Sequence, residues 1–251
     1  MDLQLNGKTA LVTGASRGIG RAIALGLARE GVKTAIVARR GELLRELAGE
    51  IEAAGAARPA VIEADLANPE SPKRIAAIAA QQLGRIDILV NAAGGSRQIP
   101  FEATIEQWQE GMTVNFYRLR ELTHAVVPGM IANRWGRIVN ITGSSEPRSL
   151  NAANSAKAAV HAWAKGLSRE IAKHGLTINS IQPGRILSEQ ILRFHPTEEN
   201  RREFAAREIP MGRFGTPAEL ADLAIFLASE RGGYITGTVI PVDGGMSRFA
   251  F

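Results

Sequence analysis

The chain lacks cysteine altogether, which excludes a disulfide framework, a thiol nucleophile and any cysteine-ligated metal or cluster. It has no apolar run of the length a bilayer requires. Its first residues, MDLQLNGKTALV, carry neither the basic segment nor the long apolar stretch of a secretion signal. The expectation is a cytoplasmic protein that makes no membrane contact. Aromatic residues are only 5% of the 251 positions, and just two are tyrosines, Tyr117 and Tyr234. A reaction that needs a phenol therefore has few candidates. Charge of one sign is not concentrated either. The formal net charge is +5, but in ARRGELLREL and ENRREFAARE basic and acidic residues alternate. That is the pattern of solvated helix faces, so no nucleic-acid partner is expected. The four histidines are scattered without carboxylates at ligand spacing, and no metal site is expected.

What the chain does have is a rhythm. The segments TALVTG, TAIVAR, AVIEAD, IDILVNAAG, GRIVNIT, LTINSIQPG and VIPVDGG are short, nearly continuous apolar runs, as strands buried on both faces of a parallel sheet require. Between them lie helical patterns, one with Ile19, Ile23 and Leu27 on a shared face and another with Val160, Ala164, Leu167 and Ile171. Repeated strand–helix–strand units predict an α/β fold, a Rossmann-like doubly wound parallel sheet flanked by helices. No repeat, low-complexity tract or linker divides the chain, so residues 1–251 read as a single domain. One stretch breaks the rhythm, an insertion over about residues 185–210 that is charged and has no strand pattern. It follows a strand's carboxyl end, where a substrate cover would sit. Its apolar members Ile186, Leu187, Ile191, Leu192 and Phe194 suit a moderately apolar substrate.

The first strand runs into TGASRGIG, placing Gly14, Gly18 and Gly20 between a strand and a helix, with Ser16, Arg17 and Ile19 among them. Glycines there permit a tight turn and close approach of backbone to a pyrophosphate at the helix's positive end. The second strand ends in Ala38, Arg39 and Arg40. An acidic residue near this point would bond a ribose 2′-hydroxyl and repel a 2′-phosphate, whereas arginine binds the phosphate. Arg39 and Arg40, joined by Arg17, therefore predict NADP(H) in preference to NAD(H).

With these motifs the sequence resembles the short-chain dehydrogenase/reductase family over its whole length, most of all the 3-oxoacyl-(acyl-carrier-protein) reductases. The matching stretches are TGASRGIG, NAAG at 91–94, VNF with Asn115, GRIVNIT, SAKAAV with Lys157, INSIQPG, RFGTPAELADLAIFLAS and YITGTVIPVDGG. The resemblance implies that Asp65, with Leu66 beside it, meets the adenine, and that Asn91 and Gly94, with Ala92 and Ala93 between them, shape the floor of the cofactor site. It implies that Pro183 and Gly184 lead to Ile186 and Ser188 at the nicotinamide carboxamide, and that Lys157 serves both cofactor and catalysis. It also implies a homotetramer or homodimer, with the C-terminal strand region at a subunit interface.

The family's catalytic set is an asparagine, a serine, a tyrosine and a lysine. Asn115 and Lys157 match. The tyrosine position, in SLNAANSAKAAVHAWAK, is Ala153, and the serine position falls near Gly143, leaving Ser144 or Ser145 to supply a hydroxyl. Removing such an acid–base group costs about 10² to 10⁴ in rate. Tyr117 should point away from Asn115, Tyr234 should pack at the start of a strand, and His161 should sit at a surface or interface. Three readings remain open. One is an NADP(H)-dependent carbonyl/alcohol oxidoreductase with a relocated proton donor, such as Ser144 or Ser145 with a water held by Lys157. Another is reduction of a conjugated carbon–carbon double bond in an acyl thioester, where the enolate needs oxyanion donors more than a phenol; SAKAAV and SIQPGRI also resemble the 2,4-dienoyl-CoA reductases. The last is a nucleotide-binding protein without turnover.

Overall fold

Successive residues of a strand face opposite sides of its sheet, and here both sides are covered. Val12, Ile36, Val90, Val139 and Ile181 point into one buried cluster, while Leu11, Val37, Leu89, Ile138 and Ile178 point into another. This is why the strand segments show no alternation in sequence. The computed structural model describes residues 1–144 and 146–249.

Seven parallel strands, β1 (Thr9–Thr13), β2 (Lys33–Ala38), β3 (Ala60–Glu63), β4 (Ile88–Asn91), β5 (Gly136–Ile141), β6 (Leu176–Pro183) and β7 (Val239–Val242), stand in the order β3-β2-β1-β4-β5-β6-β7. All seven expected strands are present. Helices α1 (Gly18–Arg29), α2 (Gly41–Ala53) and α9 (Pro217–Leu227) supply residues to the first cluster; α3 (Ser71–Leu83), α5 (Arg118–Ala132) and α6 (Ala152–Ile171) supply the second. The remaining helices are α4 (Ile105–Met112), α7 (Glu189–Phe194) and α8 (Glu198–Glu208). A single π turn, Thr113–Tyr117, joins α4 to α5.

After β3 the chain crosses to the far side of β1, so the strand order reverses between β1 and β4. Such a reversal opens a crevice at the strands' carboxyl ends. The 185–210 segment forms α7 and α8, and its Ile191, Phe204, Ala205 and, just after α8, Ile209 gather with Phe214 into a third, small cluster. It hangs over the carboxyl end of β6 and is tied back by a bridge between Ile186 and Gly215.

Candidate active site

The crevice is a cleft of about 970 Å³. At one end the turn from β1 to α1 is built by glycine. Gly14 has φ +68°, and a Cβ there would lie 2.7 Å from the Ala92 carbonyl oxygen; a Cβ on Gly20 would meet the Gly14 carbonyl oxygen at 2.5 Å. Only bare backbone fits. No side chain caps the start of α1 and its first turn has no acidic residue, so N–H groups at the positive end of the helix remain available to an anion. Ser16, Arg17, Gly18, Ile19, Arg39 and Arg40 line this end, and Asp65 and Leu66 line it from β3. The cradle fits a dinucleotide.

The middle of the cleft is set by α6 and the π turn. Asn151 caps α6, accepting from the Ala153 N–H at 3.0 Å, and ties the helix start to the loop after β4 through Arg97 N–H and Ser96 Oγ. Asn115 is buried; its Nδ2 donates to the Gly111 carbonyl at 2.9 Å and its Oδ1 accepts from Gly95 N–H at 3.1 Å. π turns recur at functional sites because they displace a side chain from the regular helix face, and this one turns Asn115 into the cleft lining. Lys157 lines the same wall one helical turn beyond Ala153. Burial brings its ammonium down to about 8. Its stem lies against Gly143, where a Cβ would stand 3.1 Å from the lysine Cδ. Ala153 is buried and lines the cleft with nothing longer than a methyl to offer.

The far end is closed by the 185–210 segment and by the loop after β5, with Arg148, Arg185, Phe194, His195 and Phe204 facing in. Among the described residues no group of histidine, aspartate and glutamate side chains gathers that could hold a metal ion, and no helix is long and apolar enough to cross a membrane.

The sequence profile of a family described as enoyl-(acyl carrier protein) reductase matches residues 14–247. The 3-oxoacyl-(acyl-carrier-protein) reductase FabG of Aquifex aeolicus is 36% identical over 251 residues, covering 98% of this chain and 100% of its own. The chain belongs to the short-chain dehydrogenase/reductase family. Among solved structures, L-sorbose reductase from Gluconobacter frateurii, complexed with NADPH and L-sorbose, matches with TM-score 0.94 at 32% identity, over 99% of this chain and all of that one. The Pseudomonas aeruginosa RhlG/NADP complex matches with TM-score 0.88 at 35% identity, over 97% and 98%.

In this short-chain dehydrogenase/reductase most of the expected residues converge. Asn115, Ser144, Lys157, Ala92, Ala93, Gly94, Pro183, Gly184, Ile186 and Ser188 line one cleft. Four residues have placements that the sequence did not specify. Asn91 supports the floor from beneath rather than lining it: it is buried and donates to Asn140 Oδ1 at 2.9 Å and Thr123 Oγ1 at 3.0 Å. Ser188 spends its Oγ capping α7 at Ile191 N–H. His161 is half-buried on α6; its Nε2 lies 2.8 Å from Thr142 Oγ1, and burial and then Lys157 hold its pKa below the usual range. The Thr142 hydroxyl also bonds the Ile181 carbonyl at 3.0 Å. Tyr234 is not packed at the start of β7 but fully exposed, since β7 is the outer strand and no element covers the loop before it.

Tyr117, exposed and set against Phe116, is outside the cleft lining, as is Tyr234. Neither phenol stands in the site. Ser144 Oγ accepts from Glu146 N–H at 3.0 Å and makes a long, 3.4 Å donation to the Glu146 carbonyl. The other serine candidate, Ser145, lies outside the described residues. Sequence reasoning missed Glu189, whose carboxylate meets Arg17 and Arg40. It also missed Arg148 and Arg185. The charged cover segment was a signal, but which charges face the cleft depends on its fold.

Proposed function

We propose that the chain is an NADP(H)-dependent oxidoreductase acting on a carbonyl or alcohol substrate, with Lys157 as the proton donor where the family's tyrosine position holds Ala153. The observation that carries this reading is the lysine, drawn by burial to about 8 and lining the cleft beside a methyl. An acid is most effective when its pKa lies near the working pH, and an ammonium at about 8 is largely protonated at neutrality and far more acidic than the alcohol formed from the alkoxide it would meet.

The glycine cradle and open start of α1 support a dinucleotide, and the bound nicotinamide would supply or accept the electron pair at the substrate carbon. The protein's own residues do the rest. Asn115 keeps the wall between α4 and α5 in register through Gly111 and Gly95. Ser144, whose donation to Glu146 is long, is free to turn its hydroxyl to an oxyanion. Lys157 gives its proton to the alkoxide oxygen in reduction and takes one back in oxidation. Arg39, which has no ion pair among the described residues, supports the preference for a 2′-phosphate, and the NADPH and NADP complexes of the similar structures agree with it.

One observation favours a second reading. A site in which Ser144 and Lys157 can donate to an enolate oxygen and no phenol stands also suits reduction of a conjugated double bond in an acyl thioester, and the matching profile is described as an enoyl reductase. The test is NADPH oxidation by purified protein with a 3-ketoacyl thioester, a 2,4-dienoyl thioester and a panel of small ketones. Turnover of a ketone is expected. Turnover of the dienoyl substrate alone selects the second reading, and NADPH binding with no turnover of any substrate overturns both in favour of a nucleotide-binding protein. We also propose a homotetramer or homodimer through the β7 edge, supported by exposed Val239 and Tyr234; light scattering that returns a monomer would refute it.

A further inference from the structure

Arg185 follows Gly184 at the carboxyl end of β6, where the chain leaves the sheet for the cover. Its Nε is buried with no hydrogen-bond partner among the described residues. Its guanidinium lies over the ring of Phe204, 5.1 Å from the centroid, and the residue lines the cleft. Burial and the neighbouring Arg148 hold its pKa below the usual guanidinium range, with Glu208 opposing. Even so, an arginine remains charged in any ordinary medium.

The surroundings do not neutralise it. Arg148 and Arg207 also face the Phe204 ring, each at 5.8 Å. Glu208 serves Arg148 at 2.5 Å, Arg207 at 3.0 Å and Arg248 at 3.8 Å. Arg148 and then Arg207 hold that carboxyl at about 2. Glu146 directs its carboxylate to the backbone N–H groups of Arg248 and Phe249. Among the described residues, then, Glu208 is shared by Arg148, Arg207 and Arg248, Glu146 is held by backbone N–H groups, and no carboxylate forms an ion pair with Arg185. A half-buried cation whose nearest carboxylate is shared among other arginines is costly. The balance is restored if an anion enters from the cleft.

We propose that Arg185 anchors a carboxylate carried by the substrate, so that the substrate is an oxo or hydroxy acid with an apolar chain. The inference rests on the oxidoreductase reading for the reacting carbonyl, but not for the anion site itself. The planar fork of a guanidinium, pre-set by stacking on Phe204, matches a planar carboxylate in two parallel hydrogen bonds. Ile191, Phe194 and Met246, which line the same end of the cleft, suit the chain between carboxylate and carbonyl.

The test has a binding arm and a turnover arm. In the first, the NADPH-loaded protein is titrated by calorimetry with hexanoate, hexanamide and hexyl phosphate. Hexanoate is expected to bind about 10- to 100-fold tighter than hexanamide. Arg185→Met, which keeps an apolar stem on Phe204, should abolish that difference, and Arg185→Lys should restore part of it. Equal binding of acid and amide by the unaltered protein overturns the proposal whatever the variants do, as does preference for the phosphate. In the second arm, 2-, 3-, 4- and 5-oxohexanoate are compared with their methyl esters. The acid-to-ester ratio of kcat/KM should exceed about ten for at least one isomer and collapse in Arg185→Met. Esters turned over as well as acids would again overturn it. Hexanoate binding through Arg185 with no turnover of any ketone would sink the oxidoreductase reading and leave the anion site standing.

Discussion

Glu189 reaches from the first turn of α7 to Arg17 in the glycine turn, Oε1 to Nη1 at 2.9 Å, and its other oxygen lies 3.2 Å from Arg40 Nη1. A carboxylate of the 185–210 segment thus sits on two of the three arginines expected to receive a 2′-phosphate. These contacts are solvent-exposed and correspondingly weak. It nevertheless competes for the same donors. Glu189→Gln is expected to tighten NADPH binding by about two- to fivefold while leaving NADH nearly unchanged, measured by nucleotide fluorescence. Weaker NADPH binding in the variant would show that Glu189 belongs to the cofactor site rather than opposing it.

Arg39 differs from its neighbours in having no carboxylate partner among the described residues, and it lines the nucleotide end of the cleft. A charge-assisted hydrogen bond to phosphate contributes about 1.5–3 kcal/mol. Arg39→Ala should therefore weaken NADPH by about 10- to 100-fold and leave NADH within about twofold. Equal affinities of the unaltered protein for the two coenzymes would overturn the arginine argument before any variant is made.

Lys157 makes a prediction about pH in two observables. Its folded-state value is about 8, against about 10.4 in an unfolded chain. Between those values the unfolded chain holds more protons, so stability rises with pH across that window, and below pH about 8 the buried ammonium opposes folding. Lys157→Met should raise Tm at pH 7, and the gain should shrink as pH climbs toward 10. Ketone reduction, which needs the protonated amine, should fall about tenfold per unit above pH 8. A Tm gain that stays constant from pH 7 to 10 would show that desolvation does not govern this lysine.

The fold was legible because the inner strands are buried on both faces and leave an unbroken apolar mark, as TALVT does, while the outer strand VIPV carries the same mark although alternate residues are exposed. The glycine turn was legible because a backbone constraint is local: Gly14 and Gly20 sit within one stretch of sequence. The far end of the cleft was not. Arg40 and Glu189 are 149 positions apart, and Arg148 and Glu208 are 60 apart. Nothing in a charged segment says which of its side chains will turn inward until the third apolar cluster has formed around Phe204. Tyr234 misled for a related reason, since an apolar-looking strand start packs only if a further element covers it.

Ala153 allows the role of the missing phenol to be tested directly. The residue is buried, lines the cleft and stands one turn before Lys157 on α6, so a longer side chain grafted there projects along the same wall. A phenol beside an ammonium is drawn down from about 10 toward the working pH. If the cleft is otherwise complete, Ala153→Tyr should raise kcat for ketone reduction by about 10- to 100-fold, with NADPH affinity held. The fall in rate with pH should then track the phenol instead of Lys157. Crowding against the lining is separated from chemistry by Ala153→Phe, which has the same bulk without the hydroxyl and should give no gain. If Tyr and Phe behave alike while both bind NADPH normally, proton supply does not limit this site.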